Sequence, residues 1–475
     1  MKFLAFAAVA SAFVIPDASV VSQLVLADNK AAAKASAAAD VVHEAVDAVK
    51  AGVSKSVDAV HNWVAGAFDT DNELNTLADD MDFDALSPKD LPIFDPILTG
   101  GKSKVSNLTL YQLIASSNYT TQFASLVDEF PALVALLNTT TVEDAAAVNH
   151  TVFVPVDTAF DALPGWNTTT DPVVRESIAR YHIGLGDFPY KVLFATHTVP
   201  SLYHEPLLGG AAQRLRVRFA KKLGVRVNFA ARIVSANVIV SNGVVHAVDT
   251  VVVPPTFVGR QLSFVPDHYS TLLLAMNVSG FTEYIHGLTN LNGSTVLAPS
   301  NMAFTLLGPE LNAFLFNSPR GLKYLHALLR YSTVPNATVY SDAFYGPAEL
   351  APLPPVAGVP GFVERLHYQL PTLLGNTTVS VNVTSVPGYS VMLVNNKVRV
   401  AVQDGVAKNG VIQEVNRVVF PPPPATMPGS PWVDPPVKTV ADLVARLGPY
   451  VDDDGDDEIV VAGSPAVAPA SANEL

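Results

Sequence analysis

Thr151-Val152-Phe153-Val154-Pro155-Val156-Asp157-Thr158-Ala159-Phe160 is repeated in outline by Thr295-Val296-Leu297-Ala298-Pro299-Ser300-Asn301-Met302-Ala303-Phe304. Each copy opens on β-branched and apolar residues, the composition of a buried strand. A proline ends the run, because it cannot donate to a strand ladder. Asp157 or Asn301 follows, a short side chain able to accept backbone N–H bonds at a helix start. The spacing predicts a strand followed by a helix carrying Ala159 and Phe160.

A second pair of segments lies downstream. Asn242-Gly243-Val244-Val245-His246-Ala247-Val248-Asp249 is echoed by Asn409-Gly410-Val411-Ile412-Gln413-Glu414-Val415-Asn416. Asn-Gly is a hairpin turn signal between apolar runs. The offset is 144 residues for the first pair and 167 for the second, so the second unit holds insertions, expected around the Pro-, Gly- and Ala-rich loop at 345–361. A repeat of roughly 150 residues is a whole domain rather than a solenoid module. Helical spacing dominates its first half, at Leu110, Leu113, Ile114 and from Phe123 to Leu137. Short strands dominate the second, at 215–219, 225–229, 233–240 and 244–253. That order predicts an α+β domain.

These boxes resemble the fasciclin domain family. Residues 151–160 match its first box and 242–254 its second, and the Tyr181-His182 pair stands between them where the family often carries one. The resemblance covers 106–256 and 267–422 and implies two tandem α+β domains, helices packed on a small β-sandwich, in a fungal-type secreted glycoprotein. It also implies adhesion, with the Tyr181-His182 region as a binding element. The second unit has Tyr331-Ser332 instead.

The flanks are of other kinds. Residues 1–12 read as a signal peptide, with cleavage placed as late as about residue 18. An amphipathic helical segment follows at 19–68, with a valine stripe from Val42 to Val64. An acidic, proline-containing linker is expected at 69–105. Residues 423–475 read as a proline-rich spacer, a short helix opened by Thr439 with Asp442 in its first turn, and an acidic tail. The terminal Ala-Asn-Glu-Leu weakly resembles an ER-retrieval signal. A break between the two units is expected near 255–268.

The chain of 475 residues has no cysteine, which excludes disulfides, thiolate metal sites and cysteine nucleophiles. Its net charge of −14 disfavours nucleic acid as a partner. No stretch is long and apolar enough for a membrane span. Ten N-x-S/T sequons stand at Asn107, Asn118, Asn138, Asn149, Asn167, Asn277, Asn292, Asn336, Asn376 and Asn382, predicting a glycosylated secretory protein.

His246 and Asp249 have the residue types of a general base and its orienting acid. Two polar side chains on an apolar strand can equally fix the strand by bonding to backbone. The second unit favours the structural role: Asn301 replaces Asp157, Gln413 replaces His246 and Asn416 replaces Asp249. His197, His204 and Glu205 lack the spacing of a zinc motif, so neither metal nor cofactor is expected. Arg214, Arg216 and Arg218 alternate along one strand face, which reads either as the solvated outer face of a hairpin or as a basic patch for an anionic polysaccharide or an acidic protein. Residues 376–383 of the second unit have no such charge, so binding is expected on the first unit. The expected function is non-enzymatic adhesion to cell-surface, wall or matrix components, secreted or wall-bound. The alternative is a soluble vacuolar or ER-lumenal glycoprotein that binds a small ligand or a protein.

Overall fold

The computed structural model describes residues 106–139, 149–163, 166, 170–220, 224–282, 291–350, 364–386, 389–423 and 436–451. The expected signal peptide, the helical segment at 19–68, the linker at 69–105, the acidic end of the tail, Asn167 and most of the 345–361 loop lie outside the described residues.

The first unit begins with three short helices, Leu110–Ser116, Thr121–Asp128 and Pro131–Asn138. Thr109 and Gln112 form a reciprocal capping box on the first, satisfying two otherwise orphaned N–H groups. Leu110, Leu113, Phe123, Leu126 and Leu137 face one another in the core. The strands are β1 (His150–Pro155), β2 (Ile183–Leu185), β3 (Thr198–His204), β4 (Ala212–Ala220), β5 (Gly224–Val227), β6 (Ala231–Val240) and β7 (Gly243–Val248). They close in sequence order into a barrel, with β1 and β7 joined in parallel. The two boxes are therefore neighbouring strands, with Phe153 opposite His246. Both are buried along their whole length, which is why they read as continuous apolar runs.

The second unit repeats this arrangement. Its strands are β8 (Ser294–Pro299), β9 (Thr333–Pro335), β10 (Thr338–Val339), β11 (Phe344–Tyr345), β12 (Glu364–Pro371), β13 (Thr378–Val386), β14 (Tyr389–Val394), β15 (Val398–Ala407) and β16 (Gly410–Val415). Seven of them form one sheet in the order β12-β13-β14-β15-β16-β8-β9, and β16 and β8 are again the parallel pair of boxes. The expected α+β class holds in both units. The separate hydrophobic cores of the two units explain why each reads as a domain.

Two helices outside the expected bounds of the second unit pack on its core. The helix Val258–Ser263 packs Val258 and Leu262 into the core of the second unit, whose packing thus starts before residue 267. The helix Val440–Leu447, expected to stand beyond a spacer, docks on that same core. Its Thr439–Asp442 capping box is as the sequence predicts. Leu443 and Leu447 are fully buried, and Arg446 Nη1 donates to the Pro421 carbonyl at 2.9 Å. The apolar face alone could not name what it packs against.

Candidate functional site: the paired boxes and the seam between the units

His246 is fully buried on β7. Its Nδ1 accepts the backbone N–H of Asn237 at 3.2 Å, and its Nε2 lies 2.9 Å from the carbonyl of Phe188. One nitrogen must accept and the other donate, so these partners select the neutral Nε2–H tautomer. The ring stacks on Phe153 at 5.8 Å between centroids. Asn237 lies at a register shift of β6 with φ of 68°, so His246 ties a bulge to the neighbouring loop. Gln413 does the same work in the second unit. Its Oε1 accepts the N–H of Asp404 at 3.0 Å, its Nε2 donates to the Val339 carbonyl at 2.8 Å, and Asp404 has φ of 63° at the matching shift of β15. Asp249 is not partnered with His246. Its carboxylate accepts from the Arg232 N–H at 2.8 Å and pairs with the Arg232 guanidinium at 3.3 Å. The Asp249 N–H also donates to the Arg232 carbonyl at 3.1 Å, and among the described residues Asn416 keeps that bond alone, from its N–H to the Arg399 carbonyl at 3.2 Å.

Asp157 does not cap its own helix, which starts at Asp157 with Val156 as the cap. Its carboxylate reaches instead to the helix Thr121–Asp128, accepting from the Gln122 N–H at 2.8 Å and the Thr121 hydroxyl at 2.9 Å. That corrects the expected local cap: the first turn served is distant in sequence. Asn301 meets the long helix Pro266–Val278 one turn in from its start. Its Oδ1 accepts from the Thr271 N–H and its Nδ2 donates to the Asp267 carbonyl, both at 2.9 Å. A carboxylate only accepts, so Asp157 suits a helix start. An amide both accepts and donates, so Asn301 can bridge a continuing helix. The Asn-Gly pairs also carry more than a turn. Asn242 Oδ1 accepts from Leu110 N and its Nδ2 bonds the carbonyls of Leu137 and Thr139, while Asn409 Oδ1 accepts from Val258 N. Each asparagine thereby caps the first helix described in its unit. A β-carbon on Gly243 would sit 2.0 Å from the His150 carbonyl oxygen, so only glycine fits beside it.

Tyr181 and His182 are both fully buried. The Tyr181 hydroxyl donates to the Arg214 carbonyl at 2.9 Å and accepts from Asn228 at 2.7 Å. Tyr331 repeats the arrangement with the Thr378 carbonyl and Asn395. His182 Nδ1 bonds the Ile178 carbonyl at 2.8 Å, and Nε2 accepts from Val252 N at 2.9 Å. Burial holds the His182 imidazole down at about 4, well below its ordinary 6.5. The pair therefore braces strand β4 and the segment leaving β7, and offers no surface to a partner. This corrects the expectation of a Tyr-His binding element.

The basic strand is corrected as well. Arg214 and Arg216 point into the second unit. Arg214 Nη1 donates to the Tyr345 hydroxyl at 3.1 Å and Nε to the Thr198 hydroxyl, with Asp342 at 3.9 Å. The Asp342 carboxylate also accepts from the N–H groups of His197, at 3.1 Å, and Thr198, at 2.7 Å. Burial, with Asp404 nearby, pushes the Asp342 carboxyl above its usual range, against the opposing pull of Arg214. Arg216 Nε donates to the Gln403 carbonyl at 2.7 Å, and its guanidinium lies 4.1 Å from the centroid of Phe229. Arg218 is half-buried. Alternation correctly put the three on one face, but that face meets the other unit. Gln213 and Lys408 add bonds across the seam, to the Ala407 and Thr256 carbonyls.

A cavity of about 390 Å³ opens beside this seam. Its walls are the β5–β6 turn with Phe229, the segment Thr250–Thr256, the helical start of the second unit, and Val402, Val406 and Ile412 of its sheet. Sequence reading did not find it, because the sheet wall at 402–412 lies far along the chain from the walls at 227–269.

Two seven-stranded α+β units, each built round a parallel pair of boxes and joined through a polar seam, define a tandem-domain protein of the fasciclin type. The fasciclin domain model matches residues 119–254 and 267–421, and the chain belongs to that family. It is similar to the aurofusarin biosynthesis cluster protein S of Gibberella zeae, 28% identical over 368 residues, covering 73% of this chain and 88% of that protein. It is also similar to the transforming growth factor-beta-induced protein ig-h3 of Sus scrofa, 28% identical over 192 residues, covering 40% of this chain and 23% of that one. A solved domain pair from the insect cell adhesion molecule Fasciclin I matches 63% of this chain and 96% of its own at 18% identity and a TM-score of 0.31.

Proposed function

We propose that this chain is a secreted, N-glycosylated adhesion protein that attaches to wall or matrix components, an anionic polysaccharide or a protein, without catalysing a reaction. The carrying observation is the equivalence of His246 and Gln413. Both end on a backbone N–H and a backbone carbonyl. A position served equally by an imidazole and an amide has no acid–base duty. Fasciclin domains are typically adhesion-related, which supports the same reading. Asn107, Asn118, Asn277, Asn292, Asn336 and Asn376 are exposed and suit glycan attachment. Asn149 and Asn382 suit it less, because their amide nitrogens already donate to Asp187 and Asn396. The test is fractionation of the tagged full chain among medium, wall or matrix, and vacuole, with salt washes of the bound fraction. Retention that falls with salt is expected, and a protein found wholly in the vacuole or ER overturns the reading.

A second reading is a soluble glycoprotein that binds a small ligand. It draws on the cavity at the seam and on the relative whose name places it in a biosynthesis cluster.

A further inference from the structure

We propose that the cavity between the two units is a binding site for an uncharged, largely aromatic small molecule that carries one hydrogen-bonding group. The proposal deepens the second reading above and rests on it for the source of the ligand. The site itself rests on geometry.

Five observations converge on it. The volume of about 390 Å³ falls within the range of small-molecule sites, which are concave, mostly apolar and sited at domain interfaces. Phe229, Val402 and Ile412 supply apolar wall from both units. At the mouth, Val253 is 43% and Phe264 40% exposed, so apolar surface continues from the interior to the rim. Phe229 stands in the left-handed region with φ of 65°. A bulky residue rarely adopts that backbone, and here it sets the ring on the cavity wall and under Arg216. Finally, among the described residues the side-chain amide of half-buried Gln261 and the buried hydroxyl of Thr256 have no hydrogen-bond partner, and both lie on a mostly apolar wall. A single amide can accept from a hydroxyl or donate to a carbonyl. Among the described residues no charged side chain lines the cavity, so a strongly ionic ligand would lose its hydration without a counter-charge.

The Tyr-His pair acquires a purpose here. Tyr181 holds Asn228, next to Phe229, and His182 holds Val252, next to Val253. Both bonds brace opposite walls of the cavity.

The experiment is a fluorescence titration of the secreted full-length protein with N-phenyl-1-naphthylamine, and a competition with 1-naphthol. Saturable one-to-one binding is expected. Phe264→Ala and Val253→Asp, both at exposed positions that leave the core intact, should each weaken the probe at least fivefold. Gln261→Leu should weaken 1-naphthol several-fold more than the probe. Circular dichroism and melting temperature serve as the folding control. If the variants fold as the parent does and bind the probe unchanged, the cavity is not the site, although small-ligand binding itself survives. If the parent protein shows no saturable binding, the proposal is overturned. If, in addition, organic extracts of the purified protein carry no bound compound, the second reading falls with it.

Discussion

Replacing His246 tests whether the second box is structural, because the chain carries the control in its other half. His246→Ala removes the acceptor of the Asn237 N–H and the donor to the Phe188 carbonyl. Each unsatisfied buried backbone group costs about 1–3 kcal/mol, and the lost stacking on Phe153 about 0.5–1.5 kcal/mol. Both bonds are only partly buried, so the lower part of the range applies and the expected loss is about 2–4 kcal/mol. Against a domain stability of about 5–15 kcal/mol, this is a large fraction. His246→Gln restores one acceptor and one donor in the pattern of Gln413 and should cost less than about 1 kcal/mol. The assay is urea denaturation of the full chain, followed by circular dichroism. The order Ala far below Gln, with Gln near the parent, is expected. If the Gln variant loses as much as the Ala variant, the imidazole does more than bridge two backbone groups, and the non-catalytic reading of the box is wrong.

Acidification should destabilise the first unit through His182, whose folded value of about 4 lies below the unfolded 6.5. The unfolded chain takes up the proton first, so a contribution of about 3 kcal/mol, complete above pH 6.5, is lost as the pH falls towards 4 and levels off below. Denaturation midpoints that stay flat between pH 6.5 and 5 would contradict this. Asp342→Ala strips the seam of the acceptor for His197, Thr198 and Arg214. Calorimetry should then resolve two unfolding events or a lower first midpoint, and an unchanged trace would show that this carboxylate does not couple the units. Leu443→Ala should cost the second unit about 2–5 kcal/mol, as for a core leucine. A cost under about 0.5 kcal/mol, the level of an ordinary surface change, would mean the helix is not docked in solution. Endoglycosidase treatment should lower the mass of the secreted chain by several glycans, with Asn149 and Asn382 the least occupied by peptide mapping.

The repeat, the α+β class, the two box strands and the caps of the last helix were legible in the chain, because each is written in residue pattern alone, whereas the pairing of the boxes was not. Strand burial follows from apolar runs, and Thr439 with Asp442 makes a cap within one turn. Even the bridging of backbone groups by His246 could be read, since Gln413 in the second copy of the box showed what the position tolerates. Partners distant in sequence could not be read. Asp157 has the residue type of a local cap but serves a helix 35 residues earlier. Tyr181 and His182 look like surface polar residues and end buried against β4 and the segment leaving β7. Arg214 and Arg216 alternate as an exposed strand face should, yet that face meets the second unit. Spacing sets which side chains share a face, whereas the close packing of one unit on another decides what that face touches. The cavity at the seam exists only as that juxtaposition.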